Sequence, residues 1–427
     1  MSLLKGTTMR HWIILALLCI VAPPLHAEDV SKAAPINLQQ VILNVLERNP
    51  QFSINDYEAR AAAARINQAI QVTPLSVKLE LANLVGTGEY SGIDRLETTL
   101  SLAKVLELGN KASARGDLSQ QQAKLIQNEQ DSKRLDLLAK AAEQFMHVVV
   151  DQHRLRIAHE QMKLLEHTHE IVARRVKAGR SHIAEQRRIA ITMARMEIEL
   201  EHAEHELATS RVKLSASWGE TEQNFGKAEA NLFELPPIPP FKQLEILLEN
   251  NPDLIRFVSE ERVTRSRLRL AQSGRTSNVD FSGGVRYFND PSDAALMFSA
   301  SIPLGSRSRA KHDIEEKQYL SQREPYRYEQ QRLALYSSLF EIYQELLHAR
   351  TAFEALNQRI IPQAKQVATD YEQGYQSGRF SLLELNQAQQ ILLDVRLEEI
   401  IAAANFHRFR IEIERLTGTE LSTKVSP

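Results

Sequence analysis

The chain contains few of the residues that interrupt regular structure or cross-link it. Of its 427 residues, 16 are glycine, 15 are proline and 1 is cysteine. So little glycine and proline argues against an all-β protein and favours long, uninterrupted helices. The cysteine, Cys19, lies in an N-terminal apolar run that export would remove. The mature chain is then expected to have no disulfide, thiolate metal site or cysteine nucleophile.

A surplus of charge of either sign is also missing. The 52 basic and 54 acidic side chains leave a formal net charge of −2. No basic surplus indicates a nucleic-acid partner, and no acidic surplus indicates a solvating tail. The sequence also has no GxSxG, phosphate loop, HExxH or paired CxxC motif. We therefore expect neither an enzyme nor a cofactor site.

The apolar run at the N-terminus is too short for a membrane-spanning helix. It extends from Trp12 to Ala22, about eleven residues, whereas a spanning helix needs roughly 20. Two cations precede it, two prolines end it, and Ala27 is a plausible cleavage position. The pattern predicts a signal peptide over residues 1–27, with a membrane anchor as the alternative. Translation starts at Met1 or at Met9.

Three short motifs occur twice, in the same order and about 200 residues apart, which indicates an internal duplication. A proline-rich linker at 231–241 separates the first predicted repeat, 28–230, from the second, 242–427. The motif pairs are Asn49-Pro50 with Asn251-Pro252, Leu108-Gly109 with Leu304-Gly305, and Gly179 with Gly378.

In each repeat the sequence pattern predicts a helix, two stretches of alternating apolar and polar residues, a very long helix, a glycine turn and a last helix. Apolar residues of the long helices recur in steps of three and four, as in Leu135, Leu138 and Ala142, which indicates antiparallel coiled coils. A helix of about 66 residues is ~100 Å long, which suits a protein that crosses the periplasm. The predicted helices are 39–72 and 242–272 (first), 111–177 and 309–373 (long), and 183–217 and 382–416 (last).

The alternating stretches resemble membrane strands of about ten residues. Lys78, Glu80 and Arg286 lie on one predicted face, and the other face is apolar. Surface hairpins packed on the helices are the alternative. Four strands cannot close a membrane barrel and an open edge in lipid is costly, so strands in a membrane require an oligomer. The stretches lie within 76–81, 96–102, 280–287 and 296–302.

The segments "GTGEYSGIDRLETTLSLAKVLELGNKASAR" and "YQSGRFSLLELNQAQQ" resemble TolC-like outer-membrane efflux proteins, most of all the cobalt-zinc-cadmium (CzcC-type) branch. The resemblance extends from about Leu38 to Gly418. It implies a mainly α protein with a small β part: long antiparallel coiled-coil helices and four membrane strands per chain. A homotrimer would form a 12-stranded β-barrel in outer-membrane lipid, on an α-helical periplasmic tunnel.

The resemblance also implies partners: a periplasmic adaptor (membrane fusion protein) and an inner-membrane pump of the resistance-nodulation-division class. The expected cargo is heavy-metal cations, with drugs as an alternative. A second alternative is a periplasmic coiled-coil scaffold or adaptor without a membrane barrel. Eight of the thirteen histidines lie between His147 and His205, but His202 and His205 sit on outward positions, and we expect no metal site.

The two glycine turns are the predicted periplasmic tips that dock on the adaptor, because glycine permits a tight reversal and a close approach. Helix C-caps are the plainer alternative. In gates of this family a tyrosine precedes the second turn and acidic residues follow it. Tyr375 and Glu384 match, whereas Gln387 replaces the second acid and Phe380 replaces an arginine. Three copies of Glu384 would form a cation-attracting ring, with a solvated helix face as the alternative. The docking residues are Gly179, Arg180 and Ser181 in the first turn and Gly378, Arg379, Phe380 and Ser381 in the second.

Overall fold

The computed structural model describes residues 34–418. The predicted signal peptide and both start methionines lie outside the described residues. The strands are β1 (Ser76–Ala82), β2 (Glu97–Leu106), β3 (Val279–Phe288) and β4 (Asp293–Ser301). The helices are α1 (Leu38–Arg48), α2 (Pro50–Ala69), α3 (Lys111–Lys177), α4 (Ile183–Ala216), α5 (Phe241–Leu247), α6 (Pro252–Ser273), α7 (Ser306–Ala355), α8 (Ile361–Gln376) and α9 (Leu382–Thr417).

The predicted first helix of each repeat is wrong as a single element, because an Asn-Pro pair divides it. Asn49 is extended, with ψ at 125°, and its side chain accepts a hydrogen bond from the Gln51 amide at 2.8 Å. Asn251 has the same ψ and accepts from the Asp253 amide at 2.7 Å. Proline disfavours the helical conformation of the residue before it, and proline itself is favoured as the first residue of a new helix. Each asparagine therefore ends one helix and caps the next.

The second long helix, predicted over 309–373, is also not continuous. It consists of α7, a π-helical segment (Leu356–Ile360) and α8. Pro362, near the start of α8, cannot donate a backbone hydrogen bond, and its ring crowds the carbonyl of the preceding turn. A wider π turn accommodates that ring. Pro325 lies inside α7, which continues through it.

The four strands form one antiparallel sheet in the order β1-β2-β3-β4. Glu80, Thr99 and Arg286 are paired neighbours in one row across the sheet. Lys78 is two residues from Glu80, so all three charged residues lie on the predicted common face. β1 has 7 residues, shorter than the expected ten, whereas β2 and β3 have 10 each.

The helices extend from one end of the sheet in two sections. Near the sheet, α2, α3, α6 and α7 pack side by side in the order of the strands to which they connect. At the far end, α3 packs on α4 and α9, and α9 packs on α8. The two glycine turns therefore lie at the end of the molecule opposite the sheet. Within residues 34–418, no helix combines the length and apolar character that a membrane crossing requires.

The buried apolar side chains form three clusters along this rod. One is at the middle, where α1 and the linker residues around Leu232 pack on α3 and α9. A second lies where α5 packs on α7 and α9. The third is near the turns and includes Ile189, Tyr375 and Leu385. The three clusters therefore lie in the middle and at the tip end of the rod, away from the sheet.

Candidate gate and docking tips

Both predicted tip glycines adopt backbone conformations that other residues rarely adopt. Gly179 has φ at 67° and Gly378 has φ at 79°. Both follow the last turn of a helix, and the amides of Arg180 and Arg379 bond back to carbonyls of that turn at 2.8 Å. Positive φ carries no steric cost for glycine. Each glycine is therefore a helix C-cap and the pivot of a tight reversal.

Arg175, in the last turn of α3, connects the two turns to each other. Its guanidinium donates to the carbonyl oxygens of Tyr375 and Gln376, at 2.5 and 3.1 Å. It also donates to the Ser181 hydroxyl at 3.1 Å and lies 4.7 Å from the centre of the Tyr375 ring. One forked side chain thus holds the start of α4 and the end of α8 against α3.

Tyr375 is buried, with 1% of its surface exposed. Its hydroxyl donates to the Glu185 carboxylate, in the first turn of α4, at 2.9 Å. Burial, and then the hydrogen bond to Glu185, raise the pKa of the Tyr375 phenol. The phenol therefore stays protonated and remains a hydrogen-bond donor across the physiological range. This predicted gate residue is a second link between the hairpins α3–α4 and α8–α9.

Phe380, at the position where the resemblance implies an arginine, makes apolar contacts instead of an ion pair. Its ring centre lies 4.6 Å from that of Tyr371. A Cβ added to Gly374 would lie 2.1 Å from the Phe380 ring, so the ring occupies space that any other residue at 374 would fill. Phe380 folds its turn back onto α8.

Glu384 is the partner of Ser381 in a capping box at the start of α9. Its carboxylate accepts hydrogen bonds from the Ser381 amide and hydroxyl, both at 2.8 Å, and Ser381 accepts from the Glu384 amide. These bonds, the backbone one first, lower the pKa of Glu384. The carboxylate is charged at neutral pH and already serves a local role. Gln387 lies one turn further on and is exposed.

The remaining predicted tip residues are polar and near the surface. Arg180 is exposed and makes no ion pair with any residue in the described range. Arg379 is exposed and donates to Ser377 at 3.1 Å. Ser181 is the acceptor of Arg175. The structure thus brings Tyr375 and Ser181 together through Arg175, and it leaves Arg180 and Arg379 open to a partner.

Sequence reasoning missed Arg175 and Glu185. A basic residue in the last turn of a helix and an acidic one in a first turn are ordinary features, so neither stands out in the sequence. Their contacts with Tyr375 span about 200 residues of chain, and no local spacing reports them. Within residues 34–418, no group of three or more metal-ligating side chains is placed to hold an ion.

The sheet has one polar and one apolar face, and no element within residues 34–418 covers the apolar face. Leu296 and Phe298 of β4 are 73% and 83% exposed. On the polar face Arg286 pairs with Glu97 at 2.8 Å and donates to Thr99 at 2.9 Å. An apolar face this exposed is unusual in a protein surrounded by water.

The sequence model of the family described as "Outer membrane efflux protein" matches residues 41–220 and 244–419. The chain belongs to the outer membrane efflux protein family. Members of this family are efflux channels, and this chain is accordingly an outer-membrane protein that extends into the periplasm.

A curated relative of this outer membrane efflux protein is the cobalt-zinc-cadmium resistance protein CzcC of Cupriavidus metallidurans. The two are 24% identical over 327 residues, which cover 76% of this chain and 78% of CzcC. A membrane protein of Pseudomonas aeruginosa has a similar structure, with a TM-score of 0.76, 14% identity and coverage of 91% and 94%. The open state of the Neisseria gonorrhoeae MtrE outer membrane channel gives a TM-score of 0.73, 14% identity and coverage of 91% and 90%. These structures share the fold of the chain.

Proposed function

We propose that three copies of this chain form an efflux channel through the outer membrane. The observation that carries this is the sheet, which has four strands, an exposed apolar face and a polar face with its own ion pairs. In lipid, the unpaired backbone groups of edge strands β1 and β4 would each cost several kcal/mol, about the cost of any buried unsatisfied polar group. Joining β4 of one copy to β1 of the next removes both edges. Three copies supply the twelve strands of a closed barrel, and the helices continue it as a periplasmic tunnel.

The cargo that we infer is heavy-metal cations. The support is the relative CzcC, which is named a cobalt-zinc-cadmium resistance protein. A passive conduit needs no tight metal site, since an ion that bound tightly would not leave. Export of drugs through the same fold is the second candidate. Deleting the gene in its host, then measuring growth with Co²⁺, Zn²⁺ or Cd²⁺ and with hydrophobic drugs, distinguishes the two.

The tips are the proposed docking and gating region. Docking on a periplasmic adaptor, itself joined to a pump of the resistance-nodulation-division class, would use the turns at Gly179 and Gly378. Arg180, Arg379 and the exposed edge of Phe380 are the groups that these turns present. The proposed gate is the pair of links from Tyr375 to Glu185 and from Arg175 to the second turn. Glu384 and Gln387, on α9 just beyond that turn, would line the constriction.

We also propose that the chain consists of two structural repeats, 28–230 and 242–427, joined by the linker 231–241. Matched residues of the two copies adopt matched conformations, which supports the division. Gly109 and Gly305, just before the long helices, have φ of 78° and 81°. The two asparagine caps and the two tip glycines are further equivalent pairs. The linker itself has no regular structure until α5 begins at Phe241.

Size and stoichiometry of the detergent-extracted protein test this proposal most directly. We expect the protein in the outer-membrane fraction and a trimer by light scattering after the detergent contribution is subtracted. A monomer or dimer that is stable without detergent in the periplasmic fraction would contradict the channel and favour the coiled-coil scaffold.

A further inference from the structure

The two segments that flank the β3–β4 hairpin carry only positive charge. Residues 262–279 and 302–312 contain no aspartate or glutamate. Six cations of these segments lie close to the sheet and are all exposed. We call them the basic collar: Arg267, Arg269, Arg275, Arg307, Arg309 and Lys311.

The collar cations differ from their neighbours in having no acidic partner. Within residues 34–418, none of the six makes an ion pair; Arg269 donates to Ser266 and Arg309 to the Leu304 carbonyl. Further along α7, in contrast, every lysine and arginine is paired. These pairs are Lys317 with Asp313, Arg323 with Glu324, Arg327 with Glu260, Arg332 with Glu329, and Arg350 with Glu354.

Helix stability does not explain the three collar cations at the start of α7. Arg307 and Lys311 are like charges four residues apart, an arrangement that destabilises a helix. Arg307 and Arg309 also lie in the first turn of α7, where the helix dipole disfavours positive charge. Cations kept in an unfavourable place without a partner indicate an anion from outside the chain.

Three cations of the first repeat that lie equally close to the sheet have hydrogen-bond or ion-pair partners, unlike those of the collar. Lys104 donates to the Thr73 carbonyl at 2.8 Å, Lys111 donates to Asn278, and Arg115 pairs with Glu107 at 2.8 Å. These three are satisfied within the chain. Arg65 of α2, which lines a groove together with Arg267, is by contrast exposed and has no ion pair in the described range. The difference between the repeats therefore holds for the cations at the start of the long helices, and not for those of α2 and α6.

If the apolar sheet face is in the membrane, the start of α7 is separated from it only by residues 302–305. Lys311 is five residues beyond that start, which adds about 8 Å at 1.5 Å per residue, so the collar cations of α7 are placed at or just beyond the headgroup layer. The headgroup layer on each side of a bilayer is roughly 5–8 Å thick. An open groove of about 470 Å³ lies between α6 and α7, and its lining includes the small apolar side chains Leu270, Ala271 and Ala310. Its charged lining is Arg267, Arg309 and Lys317 with one carboxylate, Asp313, which pairs with Lys317 at 3.7 Å. Charge beside small apolar side chains suits a phosphate attached to a glycerol backbone.

We propose that the basic collar binds the anionic headgroups of phospholipids in the periplasmic leaflet of the outer membrane. The inference rests on the proposed membrane position of the sheet. Bound lipid would anchor the channel vertically at the second hairpin of each copy, since charge attraction to anionic lipid adds to the burial of the apolar face.

The test measures which lipids the purified full-length protein keeps. The protein is delipidated in neutral detergent and offered equal amounts of phosphatidylglycerol and phosphatidylethanolamine, and native mass spectrometry counts the bound lipids. We expect preferential retention of phosphatidylglycerol. The variant R307Q/R309Q/K311Q should bind it about tenfold more weakly or worse, given that each cation near a surface attracts anionic lipid measurably.

Two further variants keep the result interpretable. R188Q/R195Q/K213Q removes three exposed α4 cations that have no ion pair in the described range, and it should retain the preference. R307K/R309K keeps the charge and should retain it too. Equal retention of both lipids by the unmodified protein, or an unchanged preference in the collar variant, would overturn the proposal. Displacement of the lipid by millimolar inorganic phosphate would make the collar a general anion site and would also overturn it.

Flotation with purely zwitterionic vesicles separates this inference from the proposed function. Insertion there depends on the apolar face and not on the collar. Failure to float would count against the membrane channel itself, whereas flotation without any phosphatidylglycerol preference would count against the collar alone.

Discussion

Single side chains connect parts of the tip that are distant in the sequence. Arg175 and Glu185 come from the first hairpin, and Tyr375 comes from the second. Together they place one charged fork, one carboxylate and one buried phenol at the junction. Because hydrogen bonds that involve charged groups are roughly twice as strong as neutral ones, three residues are enough to couple two long helix pairs at their ends.

Replacing Arg175 with alanine should weaken the proposed gate at the tip. The change removes bonds to Ser181 and to two carbonyls, and a bond from a charged donor contributes about 1.5–3 kcal/mol. We expect a higher mean conductance in planar lipid bilayers. Arg174→Ala is the matched control, since Arg174 has only a 3.9 Å contact with Glu170. A folded Arg175→Ala trimer with the conductance of the unmodified channel would contradict the gate.

His407 should make stability depend on pH. Its pKa is lowered to about 4, chiefly by burial and to a smaller extent by Arg410, while the hydrogen bond to the Leu232 carbonyl at 2.9 Å opposes the shift. The unfolded chain, with the usual histidine pKa near 6.5, binds more protons below that pH. The stabilisation is therefore complete above pH 6.5 and is lost as the pH falls towards 4, in total about 3 kcal/mol.

His407→Gln checks this, because glutamine retains a donor for Leu232 but does not titrate. We expect the melting temperature of the variant to fall less between pH 7 and pH 4.5 than that of the unmodified protein. Identical pH profiles would show that His407 is not the group responsible.

At the scale of elements, the Asn-Pro pairs act as junctions between helices. The Asn251 amide donates to the Leu416 carbonyl at 2.6 Å, and the Asn49 amide donates to the Ser217 carbonyl at 2.7 Å. Each asparagine thus caps one helix and satisfies a carbonyl at the end of another. The end of α4 is thereby fixed to the junction of α1 and α2, and the end of α9 to the start of α6, at the middle of the rod.

Asn251→Ala should destabilise this junction strongly. Loss of the cap costs about 0.5–2 kcal/mol and the unsatisfied Leu416 carbonyl about 1–3 kcal/mol. Asn251 is 0% exposed, whereas Asn49 is half-buried, so Asn49→Ala should cost less. Thermal unfolding in detergent measures both, with the exposed Asn231→Ala as a control. A loss at Asn251 no larger than at Asn231 would refute the role of the junction.

At the scale of the whole molecule, the sheet determines where the protein resides. Its apolar face has no covering layer among residues 34–418, while the long helices are polar and charged over much of their surface. One chain therefore combines a lipid-compatible end with a water-compatible rod. In the proposed channel, neighbouring copies and the bilayer would cover the lipid-compatible end.

Adjacent residues of β4 test the two faces. Phe298→Arg puts a charge on the apolar face, at a cost of about 2–4 kcal/mol near the bilayer midplane. Met297→Arg puts the same charge on the polar face and should be tolerated. We expect the first variant to reduce the trimer recovered from outer-membrane fractions and the second to leave it near normal. Equal recovery of the two would contradict a lipid-facing side.

Much of the architecture could be predicted because it depends on local spacing. The heptad steps predicted α3 over 111–177, where it is found, and the alternation of the strands predicted the two faces of the sheet. The same reasoning failed at Asn49, Asn251 and Pro362. There a single residue overrides a pattern that continues on both sides of it, because the backbone before or at proline cannot keep the helical hydrogen bonds.

The sequence by itself therefore determined the first long helix, the four strands and the side of each strand that is apolar, since these follow from periods of a few residues. Only the tertiary structure decided which side chains meet: Arg175 with the second turn, Asn251 with Leu416, and Glu384 with its own helix start. It also showed which cations have partners and which do not. Such contacts depend on the register in which the long helices pack against each other, because a one-residue shift along a helix turns a side chain by about 100°.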